Sequence, residues 1–195
     1  TTSGNSIIVS APTGTVGTFT YNLVSVSDNN GCSQAQTGSA AITVNPLATG
    51  TISGTTAICL GTSSPNIRFT GTTGTAPFTF KYNINGGSTQ TITTASGNTV
   101  TLAAPTGTAG TFTYNLISVS DANGCANPQS GSAVVTVNPL PTATISGTTS
   151  VCLNGTQPNI TFTGANGTAP YTFTYNINGG GNLIATSAGN TATVA

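Results

Sequence analysis

The amino-acid sequence predicts an all-β protein made of tandem domains, and two observations carry this prediction. First, the stretch "GTFTYNLVSVSDNNGC" at residues 17–32 returns as "GTFTYNLISVSDANGC" at residues 110–125, 93 positions later. Second, apolar residues alternate with threonine in short runs bounded by Gly, Asn and Pro, which is the pattern of half-buried β-strands. No stretch has the apolar spacing of a helix.

The 93-residue spacing extends along the whole chain. Tyr21 returns as Tyr114, Cys59 as Cys152 and Pro46 as Pro139. The register slips by one residue only after "NINGG", where "GGSTQTITTASGN" shortens to "GGGNLIATSAGN". A unit of this size suits a small globular domain and is too long for a solenoid repeat of roughly 20 to 45 residues.

Domain boundaries are predicted at the two proline-containing segments "VNPLATGTISG" (44–54) and "VNPLPTATISG" (137–147). Prolines after an apolar strand remove backbone donors and favour extended, linker-like backbone. Residues 1–46 are then the C-terminal half of one repeat, 47–139 a complete repeat and 140–195 the N-terminal half of the next. Because half domains would expose a core and sheet edges, we expect further copies on both sides.

The central unit contains seven strand candidates separated by turn residues. They are "TISG" with "AICL", "NIRFTG", "PFTFKYNI", "TQTIT", "NTVTLAA", "GTFTYNLISVS" and "SAVVTVN". Phe78, Phe80 and Tyr82 fall on one strand face, with threonine or lysine on the other. In "GTFTYNLISVS" the apolar parity changes after Leu116, which predicts a bulge or twist. Seven short strands in one unit predict an immunoglobulin-like β-sandwich.

Charge is nearly absent from the chain: two Lys or Arg, two Asp or Glu, and no His. Ordinary domains are about one quarter charged. So little charge argues against nucleic acid as a partner, and no apolar run approaches the roughly 20 residues that insert into a membrane. Arg68 and Lys81 become Thr161 and Thr174 one repeat later, so we predict that both are dispensable surface residues.

Asp28 and Asp121 occupy the same place in "SDNNG" and "SDANG". A calcium ligand is one interpretation, but calcium takes six to eight oxygens with several carboxylates, and each segment has one. An Asx-type turn that closes a hairpin is the interpretation we favour, so both residues are predicted to be turn-forming.

The sequence offers no set of residues for catalysis. General acid–base chemistry needs His or paired carboxylates, and a nucleophilic Ser or Thr needs a base beside it. Glycine-rich stretches such as "NGGG" lack the lysine and following helix of a phosphate-binding loop. We therefore expect no enzyme activity, no cofactor and no metal site.

Four cysteines, Cys32, Cys59, Cys125 and Cys152, form two equivalent pairs without CxxC spacing, which favours disulfides in an exported protein. A Cys59–Cys125 bridge would close one domain. Alternatively, Cys32–Cys59 and Cys125–Cys152 bridges would link successive domains. We favour the first, because a strand must run back along the sandwich between the "NGC" loop and the linker. Cys32 and Cys152 would then pair with cysteines outside this chain.

The segments "PLPTATISGTTSVC", "GTAPYTFTYNINGG", "GTFTYNLISVSDANGC" and "GSAVVTVNP" resemble the immunoglobulin-like or PKD-like tandem repeats of very large secreted surface proteins in Bacteroidetes such as flavobacteria. The resemblance covers the whole chain. It implies export, commonly through type IX secretion, attachment to the cell surface, and a role in adhesins or extended fibres. It implies no catalytic or ligand residues. The absence of a signal peptide and a sorting domain is what we expect of an internal segment.

Three functions are compatible with these observations. The favoured one is a stalk and surface-attachment repeat, whose partners would be neighbouring repeats and glycans or proteins at a surface. The second is a self-associating extracellular filament, because a Thr- and Asn-rich surface with so little charge lacks the usual defence against edge-to-edge pairing. The third is binding to ice or another crystalline surface, suggested by Thr-x-Thr triplets that outward-facing strand positions also explain.

Overall fold

The computed structural model describes residues 4–195, and within them the protein is all-β: eighteen strands and no helix. The predicted fold class is confirmed at this level. Nowhere in residues 4–195 does a helix occur that is long and apolar enough to cross a membrane.

The chain divides into two compact units. One comprises the described residues up to Ser53 with Arg68–Thr101 and Asn115–Ser132; the other comprises Gly54–Ile67, Leu102–Tyr114 and Ala133–Ala195. The domain boundaries read from the sequence stay a prediction.

Four strands precede the first proline segment: β1 (Gly17–Asn22), β2 (Ser25–Ser27), β3 (Ser33–Ala35) and β4 (Ser39–Val44). They form two antiparallel pairs, β1 with β4 and β2 with β3. The two pairs are continuous along the chain, because the Leu23 N–H donates to Gly38 O and the Gln36 N–H donates to Val24 O. This stretch is therefore a long hairpin with a break between β1 and β2.

Nine strands follow between residues 49 and 138. They are β5 (Thr49–Ser53), β6 (Thr56–Cys59), β7 (Asn66–Thr73), β8 (Thr79–Ile84), β9 (Gln90–Thr93), β10 (Thr99–Ala103), β11 (Gly110–Ser120), β12 (Ala126–Pro128) and β13 (Ser132–Asn138). One sheet has the order β10-β7-β5. The other has the order β6-β13-β11-β8-β9, with β12 paired to β11.

The first predicted strand is in fact two strands, β5 and β6, which belong to different sheets. Gly54 separates them with a φ of 117°, and a Cβ at this position would lie 2.5 Å from the carbonyl oxygen of Asn66. Only glycine fits such a bend. The short strand β12 was not predicted, because "ANP" has no apolar alternation. The remaining candidates all lie on observed strands.

The core of this stretch is aromatic and joins the two sheets. The ring of Phe69, on β7, lies 5.5 Å from that of Phe80 and 5.1 Å from that of Tyr82, both on β8 (centroid distances). All three side chains are buried. Face-to-face packing of two sheets through alternating residues is the arrangement of a β-sandwich. Along β11 the buried positions change parity between Leu116 and Val119, where the sequence predicted a change.

Five strands complete the chain: β14 (Thr142–Ser146), β15 (Ile160–Ala165), β16 (Thr172–Tyr175), β17 (Leu183–Thr186) and β18 (Thr191–Val194). They form a sheet of order β14-β15-β18 and a separate β16-β17 pair. Phe162 contacts both Phe173 and Tyr175, with centroids 5.6 and 5.0 Å apart. The core is small, since the buried cluster is Phe162, Tyr171, Phe173, Ala185 and Ala192.

Candidate functional site

All four cysteines are free thiols, and no two of them lie at disulfide distance within residues 4–195. The predicted Cys59–Cys125 bridge is therefore wrong, and the alternative bridges, Cys32–Cys59 and Cys125–Cys152, are not formed either.

The positions of the two favoured cysteines explain the error. Cys59 ends β6, which runs parallel to β13 and places Cys59 opposite Asn138. Cys125 follows the turn after β11, where its N–H donates to the carboxylate of Asp121. Between Cys125 and Asn138 the chain passes along β12 and then along the whole of β13, which ends at Asn138. Cys59, opposite Asn138, therefore lies at the other end of β13 from the turn that holds Cys125, whereas a disulfide requires Cα atoms within about 7 Å. The sequence predicts the returning strand but not the parallel pairing of β6 with β13, which holds Cys59 beside the far end of that strand.

Asp121 organises the turn between β11 and β12. Its Oδ1 accepts hydrogen bonds from the N–H groups of Asn123 and Cys125, each 3.0 Å long. Its Oδ2 accepts a 2.9 Å bond from the N–H of Thr75, in the loop before β8. The side chain is buried. The Thr75 N–H bond is the main cause that lowers the pKa of Asp121, so the carboxylate is held in its charged form.

Asp28 has the same local geometry in the turn between β2 and β3. Its Oδ1 accepts bonds of 3.0 Å from the Asn30 N–H and 2.9 Å from the Cys32 N–H. Asp28 is exposed, in contrast to Asp121. Backbone N–H groups donate to both carboxylate oxygens of Asp121 and to Oδ1 of Asp28, as in an Asx turn, while Oδ2 of Asp28 accepts a bond from the Asn30 side-chain amide; a cation would have to displace these donors. In the described part of the chain no three His, Cys, Asp or Glu side chains could share a metal ion.

A buried hydroxyl was missed by the sequence analysis. Thr94 is buried directly after β9, and its Oγ1 accepts a 2.9 Å bond from the N–H of Phe78. Ser187 makes the same bond to Tyr171, at 3.0 Å. The sequence contained a signal for this contact, because Phe78 and Thr94 return 93 positions later as Tyr171 and Ser187. The same offset also places the one-residue slip after Thr94 and Ser187, in the loop before the next strand.

Threonine hydroxyls, rather than charges, dominate the contacts between strands at the surface. Three exposed pairs join neighbouring strands with oxygen separations of 2.8 to 3.2 Å: Thr18–Thr43, Thr49–Thr72 and Thr79–Thr93. Arg68 and Lys81 are exposed on β7 and β8. Such a surface offers hydroxyl groups and almost no electrostatic attraction to a partner.

Apolar side chains are exposed on the N-terminal strands. We call Tyr21, Leu23, Val26 and Ile42 the N-terminal apolar face; all four are among the exposed large hydrophobic residues. Leu23 is 54% exposed and Val26 55%, whereas the residues 93 positions later, Leu116 and Val119, are 4% and 1% exposed. The same apolar pattern is thus open to solvent here and covered in the central stretch.

The C-terminal strands have an open apolar face as well. We call Ile145, Tyr175 and Ile177 the C-terminal apolar face; together with the buried ring of Phe162 they line an open cavity of about 420 Å³. Ile145 is 65% exposed and Ile177 64%. Exposed apolar surface of this kind is found at protein-interaction sites and in ligand-binding grooves.

Comparison with known proteins assigns no family to the chain: neither a protein-family model nor a curated protein sequence matches it. The two apolar faces and the threonine-rich strands are the surfaces that the described residues offer for function.

Proposed function

We propose that this chain is a stretch of tandem immunoglobulin-like repeats, each of about 93 residues, from a long extracellular surface protein in which it serves as stalk and surface-attachment module. The observation that carries the proposal is the recurrence of the same hydrogen bonds 93 positions apart. Leu23 N–H to Gly38 O recurs as Leu116 N–H to Gly131 O, both 2.9 Å.

Further hydrogen bonds recur at the same offset in the other half of the repeat. The Oδ1 of Asn83 accepts a bond from the Gly86 N–H, and the Oδ1 of Asn176 accepts one from the Gly179 N–H, both 3.1 Å. Recurrent local structure supports copies of one domain, each with its own aromatic core. The length of an array of such domains increases with every copy added.

The location and the partners are part of the same proposal. The resemblance to secreted Bacteroidetes repeats supports export, through type IX secretion, and attachment at the cell surface. With two cationic and two anionic residues in 195, the chain cannot depend on charge for attachment, so hydroxyl-rich glycans or surface proteins are the partners that suit its threonine-rich strands.

Arrays of one, two and three copies of residues 47–139 test the proposal. Since β11 has eleven residues at roughly 3.3 Å each, every added copy should lengthen the particle by about 35 Å in small-angle scattering. Beads coated with longer arrays should bind cell surfaces more strongly, because multivalent attachment strengthens with each site. Arrays with Arg68→Thr and Lys81→Thr in every copy serve as controls that should behave like the unchanged ones. Copies that fail to fold, or a length that does not grow, would contradict the proposal.

A self-associating filament is the second candidate function. The specific observation in its favour is the threonine-rich, nearly uncharged strand surface, which lacks the usual defence against edge-to-edge pairing.

A further inference from the structure

Both carboxylates of the chain stand two residues before an Asn-Gly dipeptide. Asp28 precedes Asn30-Gly31 in the turn between β2 and β3, and Asp121 precedes Asn123-Gly124 in the turn between β11 and β12. Four more Asn-Gly dipeptides, without an acidic residue near them in sequence, begin at Asn85, Asn154, Asn166 and Asn178. Asn is a thermolabile residue, and a following glycine makes it more so, because no Cβ hinders the approach of the glycine nitrogen to the Asn side chain. The turn at Asn123 therefore combines a reactive dipeptide with a buried carboxylate.

The reaction of an Asn-Gly dipeptide needs only water. The glycine nitrogen loses its proton and attacks Cγ of the Asn side chain, and the side-chain nitrogen leaves as ammonia. The product is a five-membered succinimide ring, which water opens at one of its two carbonyl carbons to give aspartate or isoaspartate. One neutral amide becomes one carboxylate, with no oxidation or reduction. Asn123 and Gly124 are both exposed, so water can reach them.

The folded structure holds each reacting group of this dipeptide in a hydrogen bond. The attacking nitrogen, that of Gly124, donates to the backbone oxygen of Asp121 at 3.1 Å. The leaving nitrogen, Asn123 Nδ2, donates to Asp121 Oδ2 at 3.3 Å and to Thr75 Oγ1 at 3.0 Å. The Asn123 backbone N–H donates to Asp121 Oδ1 at 3.0 Å. Asp121 thus binds three donors of the dipeptide, and ring closure has to break these bonds.

We propose that Asn123-Gly124 is a self-modification site, which Asp121 and Thr75 keep unreactive while the turn is closed. When the contact between this turn and the loop before β8 opens, the Gly124 nitrogen is free to attack and Asn123 is converted to aspartate or isoaspartate. The residues involved lie in one compact unit, within Arg68–Thr101 and Asn115–Ser132. The proposal goes beyond the repeat function and depends on no partner.

The product cannot restore the closed turn. A carboxylate at position 123 has no donor to replace Asn123 Nδ2, which lies 3.3 Å from Asp121 Oδ2. Two carboxylates this close repel each other, which disfavours ionisation of both. Isoaspartate also lengthens the backbone by one carbon atom. An opening that leads to reaction is therefore recorded permanently, as a new charge in a chain with two cationic and two anionic side chains.

Asn154-Gly155 is a matched reference without this protection. The Gly155 N–H donates to the backbone oxygen of Cys152 at 2.9 Å, much as the Gly124 N–H donates to that of Asp121. The Asn154 side chain is exposed and has no hydrogen-bond partner among residues 4–195. The two sites therefore share the dipeptide and the backbone bond, and they differ in the bonds to the Asn side chain.

Incubation of the 195-residue chain in mildly alkaline, reducing buffer, followed by mass-spectrometric mapping of peptides, measures conversion at each Asn-Gly dipeptide. The same chain denatured in guanidinium chloride gives the rate of each site without folded structure. We define protection as the ratio of the denatured rate to the folded rate. Protection at Asn123 should exceed that at Asn154 at least about 10-fold, since hydrogen bonds to a charged group shift a local opening equilibrium by this much.

Two variants test whether the turn controls the reaction. Asp121→Ala should reduce the protection at Asn123 at least about 10-fold, because it removes the charged acceptor. Protection at Asn85, in the hairpin of β8 and β9, should stay the same and serves as an internal control for folding. Thr75→Ala removes only the Oγ1 acceptor at an exposed position, so the chain should fold and protection at Asn123 should fall about 3-fold.

Asn123→Asp supplies the product directly. Exchange of the Thr75 amide hydrogen should become at least about 10-fold faster in this variant, because repulsion from the new carboxylate moves Asp121 away from the Thr75 N–H. Asn154→Asp adds the same charge to another Asn-Gly turn and should leave the Thr75 exchange rate unchanged.

Three results would overturn the proposal. The first is equal protection at Asn123 and Asn154, and the second is unchanged protection at Asn123 in both Asp121→Ala and Thr75→Ala. The third is a Thr75 exchange rate that is the same in Asn123→Asp as in the unchanged chain. If Asp121→Ala also loses protection at Asn85, that variant has unfolded and Thr75→Ala decides: a fall in protection at Asn123 supports the proposal, and no change refutes it.

Discussion

The backbone N–H of Thr75 donates a 2.9 Å hydrogen bond to the carboxylate of Asp121, across 46 residues of sequence. This bond joins the loop before β8 to the turn after β11. Gly74 makes the approach possible, because a Cβ on this residue would lie 3.0 Å from the Asp121 side chain, at a φ of 110°. Asp121 therefore does more than close its own turn.

Asp121→Ala should lower the free energy of unfolding by about 1 to 3 kcal/mol, since it leaves the N–H groups of Thr75, Asn123 and Cys125 without their charged acceptor. Asp28→Ala is the matched control. Asp28 closes the same turn but is exposed, so its loss should cost less. Urea unfolding at neutral pH compares the two variants, and equal losses would mean that the Thr75 bond adds nothing to stability.

The stabilisation by Asp121 should depend on pH. Its pKa in the folded protein is lowered from the ordinary value of 3.8, mainly by the Thr75 N–H, so the unfolded chain binds the proton more readily. The contribution is present above about pH 4 and is lost as the pH falls through the lowered pKa. The difference in unfolding free energy between the unchanged protein and Asp121→Asn should shrink over that range. A constant difference would refute the linkage.

Gly71→Ala should destabilise the protein by about 1 to 3 kcal/mol, because the new Cβ would lie 2.6 Å from the ring of buried Phe78, and overpacked cores cost this much. Gly164→Ala should act alike, since its Cβ would lie 2.6 Å from the ring of Tyr171. Gly107→Ala is the control, with no atom within 4 Å of the new Cβ. Thermal unfolding of the three variants tests the prediction, and similar melting temperatures would contradict it.

Thr94→Val should cost about 1 to 3 kcal/mol, because it leaves the buried N–H of Phe78 without an acceptor while preserving the shape of the side chain. Thr94→Ser should recover most of this loss, as Ser187 already makes the equivalent bond to Tyr171. Chemical denaturation of both variants measures the difference. A serine variant as unstable as the valine variant would show that the hydroxyl is not the stabilising group.

Removing the thiols should change stability little. Cys59 is exposed, Cys125 is half-buried and all four cysteines are free, so Cys59→Ser and Cys125→Ser should shift the unfolding free energy by no more than about 0.5 to 1 kcal/mol. Addition of a reductant should leave the melting temperature unchanged. A fall of several degrees on reduction would mean that a disulfide does form in solution.

Alternation and repetition in the sequence predicted the strands well. Successive side chains point to opposite faces of a strand, so Phe78, Phe80 and Tyr82 must share one face. What local patterns could not predict is which strands pair. The bend at Gly54 that sends β5 and β6 to different sheets, and the parallel pairing of β6 with β13, depend on contacts distant in sequence. The error about Cys59 and Cys125 has the same origin. For Asp121, the turn could be read from "SDANG", whereas the bond from Thr75 could not.

The parallel pairing of β6 with β13 has a mechanical consequence. These are an early and the last strand of the central stretch, and four residue pairs join them, from Thr56–Val135 to Asn138–Cys59. Tension that enters before β6 and leaves after β13 pulls the two strands in opposite directions along their length. The hydrogen bonds between them are then sheared together instead of being peeled apart one at a time, so force along the chain meets its greatest resistance at this pair.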